Sequence, residues 1–349
     1  MQNKEKLINI IEQDSINICK NISLVFLKNK TVLITGASGL LGTYFLETIN
    51  TFINKTNSKV KVFCIIHGDI PNHLIKFKKR RGFNFIKGDL TDSAFLKKLP
   101  KADIILHCAG YGQPRKFLEN KIKTLKLNTL STFFLFEKLK IKGKFLFVSS
   151  SELYSGLKNP PYKESLIGST NTDHPRACYI EGKRCGETIC LSYQQIGYDV
   201  KIGRLALAYG PGTKINDQRV LNSLIQKGII NKKIVLLDKG EAVRTYCYIS
   251  DVIEMFWKIL IFGKESVYNV GGISKIKIKN LAKKIGKILN VPVIIPTNDN
   301  SLIGAPREVS LDLSKIKREF KKNEFVSIEE GIRRTIDWQN KLYLKNRKK

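Results

Sequence analysis

The chain has 349 residues, 42% of them hydrophobic, enough to bury the core of one large α/β domain with a smaller lobe, which excludes a disordered chain. Its formal net charge is +31, but the lysines are spread along the whole length without interleaved aromatics, so the charge is read as a lysine-rich bias of the proteome plus general attraction for an anionic substrate, and no nucleic-acid partner is expected. Met1 to Lys6 is polar, no apolar run reaches the roughly 18 residues of a spanning helix, and the seven cysteines form no CxxC pair, so neither membrane insertion, a disulfide framework nor a metal site is expected and the chain reads as cytoplasmic.

Residues 1–30 carry Leu7, Ile8, Ile11, Ile18, Ile22 and Val25 at near-helical spacing, which predicts one or two short amphipathic helices laid on the domain. From Thr31 the chain reads strand (TVLITG), glycine-bearing turn (GASGLLG) and helix (TYFLETINTFI). VKVFCII is a second strand and ends Ile65, Ile66, His67, Gly68, without the acid that usually meets the adenosine ribose, so NAD and NADP both stay open. Lys76 to Arg81 (KFKKRR) reads as a solvated loop or helix end, and a short strand then leads to Asp89 and Leu90. DIILHC and KFLFVSS supply further strands with helical stretches between them. After Arg204 the pattern becomes irregular, with Gly210-Pro211-Gly212, short elements and a last amphipathic helix near Ile328 to Leu344. The expected fold is α/β, a Rossmann-type doubly wound parallel sheet with a smaller C-terminal α/β substrate lobe. The expected divisions are a helical extension at 1–30, a dinucleotide-binding domain at 31–205 with returning segments at about 240–272, and a substrate lobe at 206–239 and 273–345.

Gly36, Gly39 and Gly42 follow a strand and open a helix, where bare backbone can turn tightly and approach a pyrophosphate at the positive helix terminus. Tyr179 and Lys183 are four apart and share a helical face, so the ammonium can favour the phenolate as a base that removes a hydroxyl proton. Ser149, Ser150, Ser151 and Glu152 lie at the C-terminal end of a strand, where such sheets bind ligands.

These residues make the chain resemble the extended short-chain dehydrogenase/reductases over about residues 30 to 340, and most closely their UDP-glucuronate decarboxylase branch. PRACYIEGKR (Pro175 to Arg184), KTLKLNT (Lys123 to Thr129) and NDQRV (Asn216 to Val220) carry the closer likeness, while RTYCYISDV and YNVGG are similar to segments of the wider family. The resemblance implies an NAD cofactor held by Gly36, Ser38, Gly39, Leu40, Leu41, Gly42, Asp89, Leu90 and Ala109 with Tyr179 and Lys183. Asn128 would support the active-site helix from the cofactor side. It implies a nucleotide-diphosphate sugar as substrate, with Ser150 on the C4 oxygen beside Tyr179 and with Ser151 and Glu152 facing C5 and C6. Asn216, Arg219, Arg244 and Arg307 would meet the diphosphate or the sugar's charged group, as planar guanidinium forks suit. It further implies a homodimer paired through the Tyr179 helix, with Ile180, Ile189 and Leu191 contributing.

The departures from the branch are the missing acid after the second strand, Ile180 in place of Asp, Phe117 in place of Tyr, and the AGYGQP loop (Ala109 to Pro114). Oxidation at C4 acidifies the C5 proton and opens three outcomes: loss of carbon dioxide from a C6 carboxylate, loss of water from a C6 hydroxyl, or epimerisation at C4. Glu152 favours the decarboxylase and the 4,6-dehydratase over the 4-epimerase or C4 oxidoreductase and does not separate the first two. The complete Ser150, Tyr179 and Lys183 set weighs against a silent NAD-binding protein.

Overall fold

A computed structural model describes residues 2–215, 217–297 and 307–346. Seven strands form one parallel sheet: β1 (Thr31–Thr35), β2 (Lys61–Ile66), β3 (Phe83–Lys87), β4 (Ala102–His107), β5 (Leu139–Ser150), β6 (Asp199–Leu205) and a last strand, Val267–Val270. Their order is β3-β2-β1-β4-β5-β6 and then Val267–Val270, so the winding reverses between β1 and β4 and opens a crevice at their C-terminal ends. Both faces of this sheet are covered, which is why its strands read as continuous apolar runs. Val32 and Ile34 of β1 enter one core cluster, while Leu33 between them enters the other with Ile105, Phe145 and Phe147.

The N-terminal residues form a helix, α1 (Gln2–Asn21), and a short turn at Val25–Leu27. α1 packs against α2 (Leu40–Thr56), the helix that leaves the glycine turn, and buries Ile11 and Ile18, with Ile22 buried just past its end. Asp14, only 1% exposed, accepts hydrogen bonds from the Tyr44 hydroxyl at 2.9 Å and the Tyr248 hydroxyl at 2.8 Å, and pairs with Arg334 Nη1 at 2.7 Å. Burial pushes the Asp14 carboxyl up while these three partners pull it down. One carboxylate thus fastens α1 to α2, to the end of the Val243–Tyr248 strand and to the last helix, Ile328–Asn346.

Past β6 the chain builds a smaller sheet around Val243–Tyr248, which pairs antiparallel with Ser274–Lys277 and parallel with Ala208–Tyr209 and Glu308–Val309. The helix Ile249–Phe262 lies on the main sheet, and Val267–Val270 then joins it beside β6. The core cluster that starts on β1 runs without a break to Tyr246, Ile285 and Trp338, so the lobe is seated on the sheet rather than separately cored. No helix of the described residues is long and apolar enough to cross a membrane.

One expectation is corrected by the packing of the Tyr179 helix, Ala177–Gln195. Ile180 is fully buried and Ile189 nearly so, because this helix is enclosed between β5, β6 and the helices Lys121–Asn128 and Leu130–Glu137. Neither side chain is free to meet a second copy of the chain; of the three, Leu191 is partly buried against the same core.

Candidate active site

The turn after β1 is shaped by contacts that exclude side chains. Gly36 has a φ of +66°, and a Cβ there would stand 2.9 Å from Ala109 Cα. A Cβ on Gly42 would meet Ala37 Cα at 2.5 Å and the Gly36 carbonyl oxygen at 2.6 Å, so the first turn of α2 rests directly on the loop. Gly39 is the N-cap of α2 and has no capping side chain, which leaves helix-end amides to a ligand. Ser38, Leu40 and Ala109 are buried around this turn, and Leu41 packs on its core. A backbone cradle that any Cβ would fill is what a pyrophosphate requires, so the residues present fit a dinucleotide.

Asp89 and Leu90 follow β3. Leu90 is buried with Ile65 and Ala109, and Asp89 accepts from the Thr91 amide and hydroxyl at 2.8 Å each and pairs with Lys123 at 3.1 Å. Partial burial raises the Asp89 carboxyl, but these donors outweigh it and hold it near about 2. Past the end of β2, where an acid was absent, Asp69 stands exposed and paired with Lys87 at 2.9 Å.

Between β1 and β4 runs a buried polar chain with one consistent proton assignment. His107 Nε2 lies 3.2 Å from the Leu127 carbonyl, which can only accept, so this nitrogen carries the proton. Nδ1 then accepts from the Thr35 hydroxyl at 2.7 Å, and Thr35 Oγ1 accepts from the Ala109 amide at 3.1 Å. Burial, with the Lys183 ammonium nearby, pushes His107 down to about 3 and keeps it neutral. The chain ties the loop that meets the glycine turn to the helix Lys121–Asn128. At the end of that helix Asn128 is fully buried, its Nδ2 donates to the Thr124 carbonyl at 2.7 Å, and its Oδ1 has no donor among the described residues. Asn128 lies against Gly182 of the Tyr179 helix, where a Cβ would come within 3.3 Å of it.

At the end of β5 a short helical turn, Ser151–Tyr154, is capped by Ser150, whose Oγ accepts from the Glu152 amide at 3.2 Å. Tyr179 stands beside Ser150 and stacks on Phe117, with ring centroids 4.6 Å apart and planes 12° apart. Burial pushes the Tyr179 phenol up to about 12; the Ser150 hydroxyl pulls against this, the Glu152 charge adds to it, and Arg176 and Arg219 oppose it. Lys183 donates to the Val148 carbonyl at 2.7 Å and lies 6.0 Å from the Tyr179 ring centroid. Burial pushes Lys183 down to about 8, opposed by the Glu187 carboxylate among others. The shared helical face is therefore present, but the phenol is protonated here because its loss of solvent outweighs the cations around it.

The predicted substrate arginines separate. Arg219 is near enough to act on Tyr179 and Tyr246, and its guanidinium is forked onto Asp217, with Nη2 to Oδ2 at 2.6 Å. Arg244 donates to the Val243 carbonyl at 2.8 Å and feels Glu152 and Arg176. Arg307 is exposed, and it is its carbonyl that is engaged, by the Val243 amide at 2.8 Å. Asn216 lies outside the described residues.

Three features escaped the sequence. Arg176, three positions before Tyr179, pairs with Glu152 at 2.7 Å; the spacing within PRACY was the available signal. Buried Glu187 accepts from Ser149 at 2.5 Å and from Arg204 in a fork. Arg204 also holds the Tyr154 hydroxyl at 3.0 Å and the carbonyls of Glu164 and Leu166, closing the loop that follows the Ser151–Tyr154 turn.

A family model described as the NAD dependent epimerase/dehydratase family matches residues 32–271. UDP-glucuronic acid decarboxylase 6 of Arabidopsis thaliana is 28% identical over 312 residues, covering 89% of this chain and 89% of its own length. Among solved structures, epimerase Mth375 of Methanothermobacter thermautotrophicus superposes with a TM-score of 0.78 at 19% identity, covering 97% of this chain and 98% of that one. The UDP-glucuronic acid 4-epimerase of Bacillus cereus, in complex with UDP-glucuronic acid and NAD, gives 0.76 at 22% identity, covering 90% and 100%.

Proposed function

The chain belongs to the NAD dependent epimerase/dehydratase family, and from that premise we propose that it remodels the sugar of a nucleotide-sugar through a 4-keto intermediate, as a decarboxylase of UDP-glucuronate type. The observation that carries this is the meeting of the Ser150 hydroxyl, the Tyr179 phenol and the Glu152 carboxylate at the end of β5, with Lys183 one helical turn beyond Tyr179. The similarity to a UDP-glucuronic acid decarboxylase along most of the chain points the same way. Glu152 equally suits a 4,6-dehydratase, which needs a carboxylate to take the C5 proton.

In this mechanism the Gly36–Gly42 turn would hold NAD, which when bound would supply the acceptor, and later the donor, for the C4 hydride. Ser150 holds the C4 oxygen, and Tyr179, once ionised, accepts the C4 hydroxyl proton. Lys183 is the buried cation on the same face that favours the phenolate. After carbon dioxide leaves, its bonding pair stays on C5, and Glu152, once it has taken up a proton from solvent water, delivers that proton to C5. Tyr179 gives its proton back to the C4 oxygen when the ketone is reduced, so the cycle is redox-neutral. Arg219, Arg244 and Arg307 of the lobe serve the diphosphate, and Asn128 supports the Tyr179 helix.

The protein acts in the cytoplasm as a homodimer in this reading. With Ile180 and Ile189 enclosed, the apolar contribution to pairing falls to Leu118, Ile122 and Phe133, which are exposed beside the Tyr179 helix. Light scattering that returns a monomer at micromolar concentration would remove the dimer. For the reaction, UDP-glucuronic acid is incubated with the NAD-loaded protein and the product weighed by mass spectrometry. Loss of carbon dioxide is expected; unchanged mass with an inverted C4 would reassign the chain to epimerisation, and loss of water from a neutral hexose nucleotide to dehydration.

A further inference from the structure

Arg176 is placed to do more than hold Glu152. Its Nη2 donates to Glu152 Oε1 at 2.7 Å, while its Nε is buried and has no acceptor among the described residues. Nε and Nη2 are the two tines of one guanidinium edge, the planar fork that receives both oxygens of a carboxylate. Glu152 uses one tine, and among the described residues its second oxygen accepts only a long 3.4 Å bond from the Ser155 hydroxyl. The guanidinium lies over the Phe117 ring at 5.5 Å, and Phe117 stacks on Tyr179. The half-used fork and the phenol therefore stand on one aromatic stack, a short reach apart.

The surrounding charges leave room for an anion. Arg219 is satisfied by Asp217, and Arg176 is half satisfied by Glu152. Arg244, largely desolvated, donates to the carbonyls of Val243 and Arg307 and has no carboxylate in ion-pair contact among the described residues. Two guanidinium groups thus share the charge of Glu152 beside the phenol.

We propose that Arg176 reads the carboxylate of an acidic sugar on its Nε–Nη2 edge and releases Glu152 from that edge as it does so. The inference rests on the proposed function and adds to it the residue that selects the sugar. A uronate brings a carboxylate that can take over the fork and frees Glu152 for proton transfer at C5. A neutral hexose cannot make the exchange, and Glu152 stays tied. Selection of the substrate and release of the proton carrier become one event.

The test is calorimetric binding of UDP-glucuronic acid and UDP-glucose to the NAD-loaded protein. Arg176→Leu should weaken UDP-glucuronic acid by roughly 10- to 100-fold, as loss of a charge-assisted fork does, and leave UDP-glucose within about twofold. Arg176→Lys keeps the charge without the fork and should give an intermediate loss, which also covers a failure of the leucine variant to fold. Glu152→Gln removes the resident competitor and should tighten UDP-glucuronic acid by roughly three- to tenfold, an effect that a purely structural Arg176–Glu152 pair would not produce. If the Arg176 variants weaken both nucleotides alike or neither, or if Glu152→Gln fails to tighten the uronate, the inference is overturned while the proposed function stands. A wild-type protein without preference for the uronate, and without carbon dioxide release, would overturn both.

Discussion

Replacing Glu187 by Ala should cost more than any other single change in the site's support. The Glu187 carboxylate and the Arg204 guanidinium are 6% and 5% exposed, and their fork is closed by bonds of 2.8 to 3.2 Å. Removing the acid leaves Arg204 as a buried cation with only a hydroxyl and two carbonyls, an unpaired charge that typically costs about 3–5 kcal/mol. That is a large share of the roughly 5–15 kcal/mol that holds a domain folded. Glu187→Gln keeps the shape and one acceptor and should cost less, and Glu187→Leu combined with Arg204→Met should approach the wild type because no charge is then stranded. Urea unfolding monitored by circular dichroism measures all three. A second effect reaches the chemistry: Glu187 raises the affinity of Lys183 for its proton, so its loss should carry Lys183 below about 8 and move the alkaline limb of the activity profile to lower pH. A Glu187→Ala cost under about 1 kcal/mol, or a double variant as unstable as the single one, would refute the reasoning.

His107 should make the protein sensitive to acid. Its folded value lies near about 3 against 6.5 for the free side chain, so the unfolded chain binds the extra proton between these limits. The stability is complete above pH 6.5 and falls as pH drops toward about 3, by roughly 2 kcal/mol on reaching pH 5. His73, held down to about 4 chiefly by burial, acts in the same direction. Thermal melting from pH 7 to 5 should show a steeper decline for the wild type than for His107→Gln, and parallel slopes would count against the neutral assignment. In the cofactor turn, Gly36→Ala forces a left-handed backbone on a residue with a Cβ 2.9 Å from Ala109 Cα. NAD affinity by fluorescence titration should fall about tenfold or more, and an unchanged affinity would show that this turn does not hold the dinucleotide.

The parts of the molecule that read clearly are those whose signals are local. β1, its glycine turn and α2 are a buried apolar run, three glycines and a helical period within 26 residues, from Thr31 to Thr56. Tyr179 and Lys183 share a face because helical spacing requires it. What stayed hidden joins distant residues: Arg176 meets Glu152 across 24 positions, Arg204 meets Glu187 across 17, and Asp14 meets Arg334 across 320. Ile180 looked like a free apolar position because periodicity shows that a helix has an inner face, not how many neighbours enclose it.

The account rests most directly on two proton carriers that act at different steps, and a single-turnover experiment with UDP-glucuronic acid separates them. Tyr179→Phe removes the group that accepts the C4 hydroxyl proton, and loss of such a group typically slows reaction by about two to four orders of magnitude. The absorbance of reduced dinucleotide should therefore fail to appear. Glu152→Gln leaves oxidation possible, so reduced dinucleotide should accumulate on the protein while the decarboxylated product lags. If Glu152→Gln suppresses the reduced dinucleotide as fully as Tyr179→Phe, or leaves product formation untouched, Glu152 does not act after oxidation and the claim that two proton carriers serve separate steps is contradicted.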